Sequence, residues 1–279
     1  MLSTVLAALA MATLPSKPAA PEPFLLSVQA WTFNHFSLFE AIEKTAQAGG
    51  KAIEMFPGQT LRPASDVKVG PDMPEIETAA LEAKLKEFGI RPVAFGVTGI
   101  SKDPAEARVL FRWAKRLHLL VINTESVDAI DTIEAMVKEF DIKVGFHDHP
   151  KQAGNPGYKM WDPAYVYSVV KDRDQRIGSC ADTGHWVRSG IKPIDAIKML
   201  HGRIVSSHLK DLNAYSADAH DVPFGTGVSD IPAILETYKK TKFNGPASIE
   251  YEYNWDNSIV DVANCIGFVR GYLREGAKP

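Results

Sequence analysis

Side chains that ligate metals or move protons recur at the ends of short apolar runs in this chain. The run "KVGFHDHP", Lys143 to Pro150, finishes with His147 and His149. Earlier runs end with Glu54 and Glu125, and later ones with Asp182 and His185, His208 and Lys210, and Glu250 and Glu252. A single such residue is ordinarily a solvated group or a prop for a neighbour. Carboxylate or imidazole at the end of each of the last four runs is harder to explain that way, because uncompensated burial of charge is costly. A divalent cation compensates it. Two carboxylates with two imidazoles suit Mn²⁺, Co²⁺ or Zn²⁺ better than Mg²⁺ or Ca²⁺, which prefer all-oxygen shells. Mn²⁺ is the first choice, with Co²⁺, Zn²⁺ and Mg²⁺ as alternatives. An ion so held would grip two adjacent oxygens of a hydroxy-carbonyl compound, acidify the C–H between them and stabilise the enediolate left when a base removes the proton.

The elements that must position these groups follow from periodicity. Eight β-rich runs, "LLSVQAWTF", "KAIEMF", "RPVAFGVT", "LLVINTES", "KVGFHDH", "RIGSCADTG", "RIVSSHLKD" and "ASIEYEY", are spaced along the chain. Amphipathic runs such as "SLFEAIEKTAQAG", "ETAALEAKLKEFG", "DPAEARVLFRWAKRLH" and "DAIDTIEAMVKEF" lie between several of them, with apolar residues at three- and four-residue spacing. Eight βα units close naturally into a (β/α)8 TIM barrel, an α/β fold whose strand C-termini meet around one central point. A doubly wound open sheet is the alternative, but no Gly-rich phosphate turn follows the first strand. No Gly/Ser or charged linker divides residues 24–279, which read as a single catalytic domain. The proline-rich connection "PGQTLRPASDVKVGPDMPEIE" leaves the catalytic end of the second strand and has the length of a lid.

A net charge of −3 and a pI near 6.3 offer no basic field for a phosphate backbone, so nucleic acid is not expected as a partner. Residues 1–23 contain an apolar segment of signal-peptide length followed by small residues and prolines, too short to span a membrane. They imply export to the periplasm or beyond, although no Lys or Arg precedes the apolar segment; a cytoplasmic protein with a disordered leader is the alternative. Cys180 and Cys265 lie at no metal-like spacing and read as core residues.

The stretches "CADTGHW", "SSHLKD", "PFGTG" and "GPASIEYE" resemble the xylose isomerase-like TIM barrels, the sugar phosphate isomerase/epimerase group that also includes inosose dehydratases and endonuclease IV. The likeness runs in order over about residues 25–270. It implies Asp182 as a metal ligand with His185 as a substrate or supporting contact, His208 as a ligand, and Glu250 as ligand and base. At strand five, where ketose epimerases of this family place a metal-binding glutamate, the register puts His147. The two-carboxylate, two-face epimerase scheme is then in question, and a one-base isomerisation or an elimination gains ground.

His147 and His149 stand roughly 6–7 Å apart along a strand, so one ion does not take both in regular geometry. His147 is assigned to the metal and His149 to acid–base work or substrate contact. Asp148, pointing the opposite way, is expected to be structural. Lys210 is expected to donate to a substrate hydroxyl or oxyanion, with pairing to Asp211 or Glu252 as the alternative, and Glu54, Glu125, Trp31 and Trp186 to contact a small carbohydrate. The leading expectation is a metal-dependent isomerase or epimerase of a sugar or keto-sugar. The alternative is a dehydratase or lyase on a 3-keto-sugar glycoside or an inosose-like compound. An endonuclease IV-like enzyme would need a basic face and further ligands that "NAYSADAHDVPFGTG" does not offer in the right order, and a non-catalytic sugar-binding barrel would not need a base beside the metal. Homo-oligomerisation is left open.

Overall fold

A computed structural model describes residues 23–200 and 202–275. The leader expected over residues 1–23 lies outside the described residues except for Pro23. Eight parallel strands close into a barrel in sequence order. They are β1 (Leu25–Gln29), β2 (Ala52–Met55), β3 (Arg91–Phe95), β4 (Val121–Thr124), β5 (Lys143–His147), β6 (Ile177–Asp182), β7 (Ile204–Leu209) and β8 (Pro246–Ile249), with β1 pairing β8 to complete the ring. Around them lie α1 (Leu38–Gln47), α2 (Glu75–Phe88), α3 (Pro104–Arg116), α4 (Ile130–Phe140), α5 (Pro163–Val170), α6 (Thr183–Arg188), α7 (Pro193–Met199), α8 (Ile231–Lys240) and α9 (Ile259–Glu275). The expected (β/α)8 barrel is the observed fold.

Local chemistry explains the helix boundaries. Ser37 and Glu40 form a reciprocal capping box at the start of α1. Asp103 and Asp162 cap α3 and α5, each ahead of a proline whose missing N–H costs nothing in the first turn. α2 ends at Gly89, whose φ of 61° is the left-handed C-terminal stop that a residue without Cβ adopts freely. Nη2 of the buried Arg203 faces four carbonyl oxygens, those of Val170, Arg173, Asp174 and Ile177, in the turn between α5 and β6. Cys180 and Cys265 are free and buried, as their surroundings in the sequence imply.

The long connection after β2 is tied down. Thr60 bridges Lys68 in antiparallel fashion, Leu61 and Val69 make backbone hydrogen bonds across the turn, and Leu61, Val69 and Met73 are buried.

Inside the barrel, below the strand ends, a polar layer replaces the usual aliphatic one. Ser27, Glu54, Asn123, Ser206 and Ser248 are all buried there, and Ser27 Oγ lies 2.7 Å from Ser248 Oγ. Asn123 Nδ2 donates to Glu54 Oε1 at 2.6 Å, and Ser248 donates to Glu54 Oε2 at 2.7 Å. Room for this layer depends on Gly145 in β5, where a Cβ would stand 2.5 Å from Asn123 Oδ1 and 3.0 Å from Cys180 Cβ. Gly145→Ala should therefore destabilise the barrel by about 1–3 kcal/mol, read as a lowered midpoint in urea unfolding. An unchanged midpoint would show that Asn123 yields freely and that the layer is not tightly packed.

Candidate metal centre and proton-transfer site

Four side chains meet at the C-terminal mouth. His147 ends β5, Asp182 ends β6, His208 lies near the end of β7, and Glu250 follows β8 directly. One ligand atom from each of them falls within 4.8 Å of all the others. His147 Nε2 is 3.1 Å from His208 Nδ1 and 3.5 Å from Asp182 Oδ2, while His208 Nδ1 is 3.1 Å from Glu250 Oε2 and 3.7 Å from Asp182 Oδ2. Donor atoms placed about 2.1 Å from one ion stand roughly 3.0–3.5 Å apart in octahedral or tetrahedral geometry, so these separations fit the faces of a coordination polyhedron. The structure thus brings together the four residues expected from the sequence as candidate ligands.

Asp182 and His208 are fixed by hydrogen-bonded partners beneath them, whereas His147 Nδ1 is buried without one. Asp182 is the N-cap of α6: its Oδ1 accepts from the His185 amide at 2.8 Å, and its own amide donates to Asp148 Oδ1 at 2.8 Å. Its Oδ2, buried, faces the two imidazoles and makes no well-aligned hydrogen bond. That oxygen, among two histidines and a second carboxylate with the Lys210 ammonium 3.0 Å away, is one that a divalent ion would satisfy. His208 donates through Nε2 to Glu54 Oε1 at 3.0 Å, which leaves Nδ1 to the cluster. Glu54, fully buried, therefore supports His208 and is not the substrate contact expected from its position at a strand end. Asp148 has the structural role expected of it.

Burial alone would discharge this cluster, and neighbouring charges overrule it. Lys210 is buried with its ammonium 3.0 Å from Asp182 Oδ2, 2.7 Å from Glu250 Oε2 and 2.9 Å from Glu252 Oε2, and these carboxylates hold its pKa well above the usual lysine value. Against burial, Lys210 and His208 hold Glu250 down to about 2. His147 is pushed up to about 10, burial being outweighed by Asp182 and Glu125. His185 goes the other way, well below its usual value, because burial dominates over Asp182. Lys210 is thus enclosed by carboxylates and does not line the cleft, contrary to the expected contact with substrate.

Above the cluster opens a cleft of about 300 Å³, lined by Gln29, Trp31, Phe56, Pro57, Gly96, Val97, His147, His149, His185, Glu250 and Glu252. Trp31 is 41% exposed and meets Phe56 edge-to-face at 5.0 Å, a placement suited to stacking on a sugar. Trp186 is buried in the core and forms no part of the lining, so its expected contact with carbohydrate is not supported.

β5 stops at His147, and His149 lies two residues beyond it. Its position is set by Glu125, whose carboxylate contacts His149 Nδ1 and also accepts from Tyr158 Oη at 2.9 Å, while the His149 amide donates to the same Tyr158 oxygen at 3.1 Å. Glu125, held well below the carboxylate range despite burial by His147 and His149, is a standing anion at the back of the imidazole. The His149 ring stacks on His185 at 5.2 Å. Sequence reasoning missed Tyr158 and also Arg188, which is hydrogen-bonded to Glu252 at 2.7 Å, to Asp221 at 2.9 Å and to His185 Nδ1 at 3.2 Å. Arg188 was visible as the residue one helical turn after His185; Tyr158 lies in a loop without a pattern. His220 stacks on Tyr253 at 4.4 Å and Asp221 pairs with Arg188, so neither joins the cluster.

The profile of the xylose isomerase-like TIM barrel family matches residues 121–266. An uncharacterized protein from Parabacteroides distasonis ATCC 8503 has a similar structure, with 30% identity over 89% of this chain and 99% of its own and a TM-score of 0.71. A D-tagatose 3-epimerase-like protein (17% identity, 91% of this chain and 100% of its own, TM-score 0.67) and a probable 3-DHS dehydratase from Bacillus anthracis (15%, 87% and 98%, TM-score 0.61) share the fold. No curated protein matches in sequence. The family profile and the 30% identical structure together show that this chain belongs to the xylose isomerase-like TIM barrel family.

Proposed function

We propose that this protein is a divalent-metal-dependent enzyme that isomerises or epimerises a non-phosphorylated sugar or keto-sugar through an enediolate, with Mn²⁺ as the preferred ion. The observation that carries the reading is the convergence of His147 Nε2, Asp182 Oδ2, His208 Nδ1 and Glu250 Oε2 directly under an aromatic-walled cleft. When bound, the ion supplies Lewis-acid polarisation of adjacent oxygens in a hydroxy-carbonyl compound and so acidifies the C–H between them. Among the described residues neither lysine nor arginine lines the cleft, whereas Glu250 and Glu252 do, which disfavours a phosphorylated substrate. The volume accommodates about one sugar ring.

The residues divide the work by their protonation. Glu250, anionic down to about pH 2, is a poor base at neutral pH and serves as a ligand and charge anchor. The expected proton-transfer role of Glu250 passes to His149, whose Nδ1 is held by Glu125 and whose other nitrogen is free for the cleft. His149 takes the proton from the activated carbon and returns it to the neighbouring carbon. His185, neutral and lining the cleft, positions a substrate hydroxyl. With a single base on one side, aldose–ketose isomerisation is favoured over the two-face epimerisation of a two-carboxylate site.

The His149–Glu125–Tyr158 group also favours a second reading, elimination from a 3-keto-sugar glycoside or inosose-like compound. There His149 would hand the abstracted proton to the departing oxygen. The dehydratase among the proteins of similar fold is compatible with it. A panel of ketoses, keto-sugar glycosides and inososes incubated with the Mn²⁺-loaded protein in heavy water, followed by NMR, distinguishes the two. Deuterium gained at carbon with the skeleton intact marks isomerisation, and loss of a substituent marks elimination.

His147→Ala should lose bound Mn²⁺, whereas His149→Ala should keep it and lose about a hundredfold or more in turnover on the substrate so found. Metal retained in the first variant and lost in the second would reverse their roles. Because His147 is protonated in the free protein up to about pH 10, ion binding must expel that proton. Calorimetric titration between pH 6.5 and 8.5 should therefore show Mn²⁺ affinity rising with pH, by up to about tenfold per unit for each proton displaced. A flat profile would contradict the assignment of His147 as a ligand.

A further inference from the structure

The ammonium of Lys210 sits on the same two oxygens that face the imidazoles of the cluster. Asp182 Oδ2 lies 3.5 Å from His147 Nε2 and 3.7 Å from His208 Nδ1, and Lys210 Nζ is 3.0 Å from it. Glu250 Oε2 lies 3.1 Å from His208 Nδ1, and Lys210 Nζ is 2.7 Å from it. The third contact, Glu252 Oε2 at 2.9 Å, belongs to a residue outside the ligand set. Glu252 is itself held in place by Arg188 at 2.7 Å.

We propose that Lys210 is the resident cation of this site: it balances Asp182 and Glu250 when the divalent ion is away, and the incoming ion drives its ammonium off those two oxygens and onto Glu252. This rests on the metal-dependent reading above and adds to it a residue that sets ion affinity without being a ligand. The physical reason is repulsion. An ammonium and a divalent ion sharing two carboxylate oxygens stand within a few ångströms of one another in a low-dielectric interior, where their mutual energy is large. Separation of the charges lowers it, provided the lysine has an anion to retreat to, and Glu252 is that anion. Only the tip of the side chain is free to move. Its stem lies against the Gly184 backbone, where a Cβ would come within 2.6 Å of Lys210 Cβ and 2.7 Å of Lys210 Cδ.

The test uses Zn²⁺ alone, as a diamagnetic stand-in for Mn²⁺, on the full-length protein. Removing the competing charge in Lys210→Met should tighten Zn²⁺ binding by at least about tenfold in calorimetry. Binding by the variant alone, with none by the parent, is the extreme of the same result. Because three carboxylates left without their lysine threaten folding of that variant, the parent chain supplies a second readout. The ¹H–¹⁵N signal of the buried lysine ammonium, assigned by its absence from Lys210→Met or by selective lysine labelling, should shift on saturation with Zn²⁺ as the ammonium changes partners. Unchanged or weaker binding by Lys210→Met, or an ammonium signal that stays put while the parent binds Zn²⁺, overturns the proposal and leaves the metal site standing. No Zn²⁺ or Mn²⁺ binding by either protein overturns the metal-dependent reading and this one with it.

Discussion

A carboxylate moved from water into a protein interior costs several kcal/mol unless a cation and hydrogen bonds meet it there. This barrel buries Glu54, Asp182 and Glu250 around His208, with Glu252 only partly exposed nearby. Everything around the mouth follows from meeting that cost. Lys210 touches three of the four, His208 stands between Glu54 and Glu250, and Arg188 holds the far side of Glu252. The Asp182 oxygen turned toward the two imidazoles has the Lys210 ammonium beside it but no well-aligned hydrogen bond. A parallel barrel suits this arrangement because its strand ends deliver side chains from different elements to one point, and because the strands below fix their heights.

The fold and the four-residue cluster were legible because both are written in strict period. β-rich runs alternating with amphipathic ones specify the barrel, and a ligand type at the last inward position of β5, β6, β7 and β8 specifies the cluster. What was not legible depends on depth and on loops. Glu54 reads like any strand-end carboxylate, yet it sits low enough in the barrel to reach His208 and Asn123 instead of the cleft. Trp186 follows His185 by one residue and so turns toward a different side of α6, into the core. Of the two roles the sequence offers Lys210, pairing with Glu252 is the one observed, and Asp182 and Glu250 join it from elements far away in the chain. His149 was placed on a strand, although β5 ends at His147 and the ring owes its place to Glu125 and Tyr158.

The same charge balance bears on mechanism. Two equivalent carboxylates, one on each side of an enediolate, would let protons be exchanged on both faces. Here the strand-five position is His147, and Glu250 is bound to Lys210 strongly enough to stay anionic in all but strong acid. A carboxylate so stabilised keeps an ion in place better than it removes a proton from carbon. In the proposed reading proton transfer falls to an imidazole at the rim, partly exposed and backed by the half-buried Glu125, which accords with chemistry carried out from one side of the ring.

The central claim is that His147 Nε2, Asp182 Oδ2, His208 Nδ1 and Glu250 Oε2 surround one divalent ion. Anomalous diffraction at the manganese edge, from crystals of the protein grown with Mn²⁺, tests it most directly. The account requires one strong peak per chain about 2.0–2.3 Å from those four atoms. A peak elsewhere, or none there at saturating Mn²⁺, would contradict it.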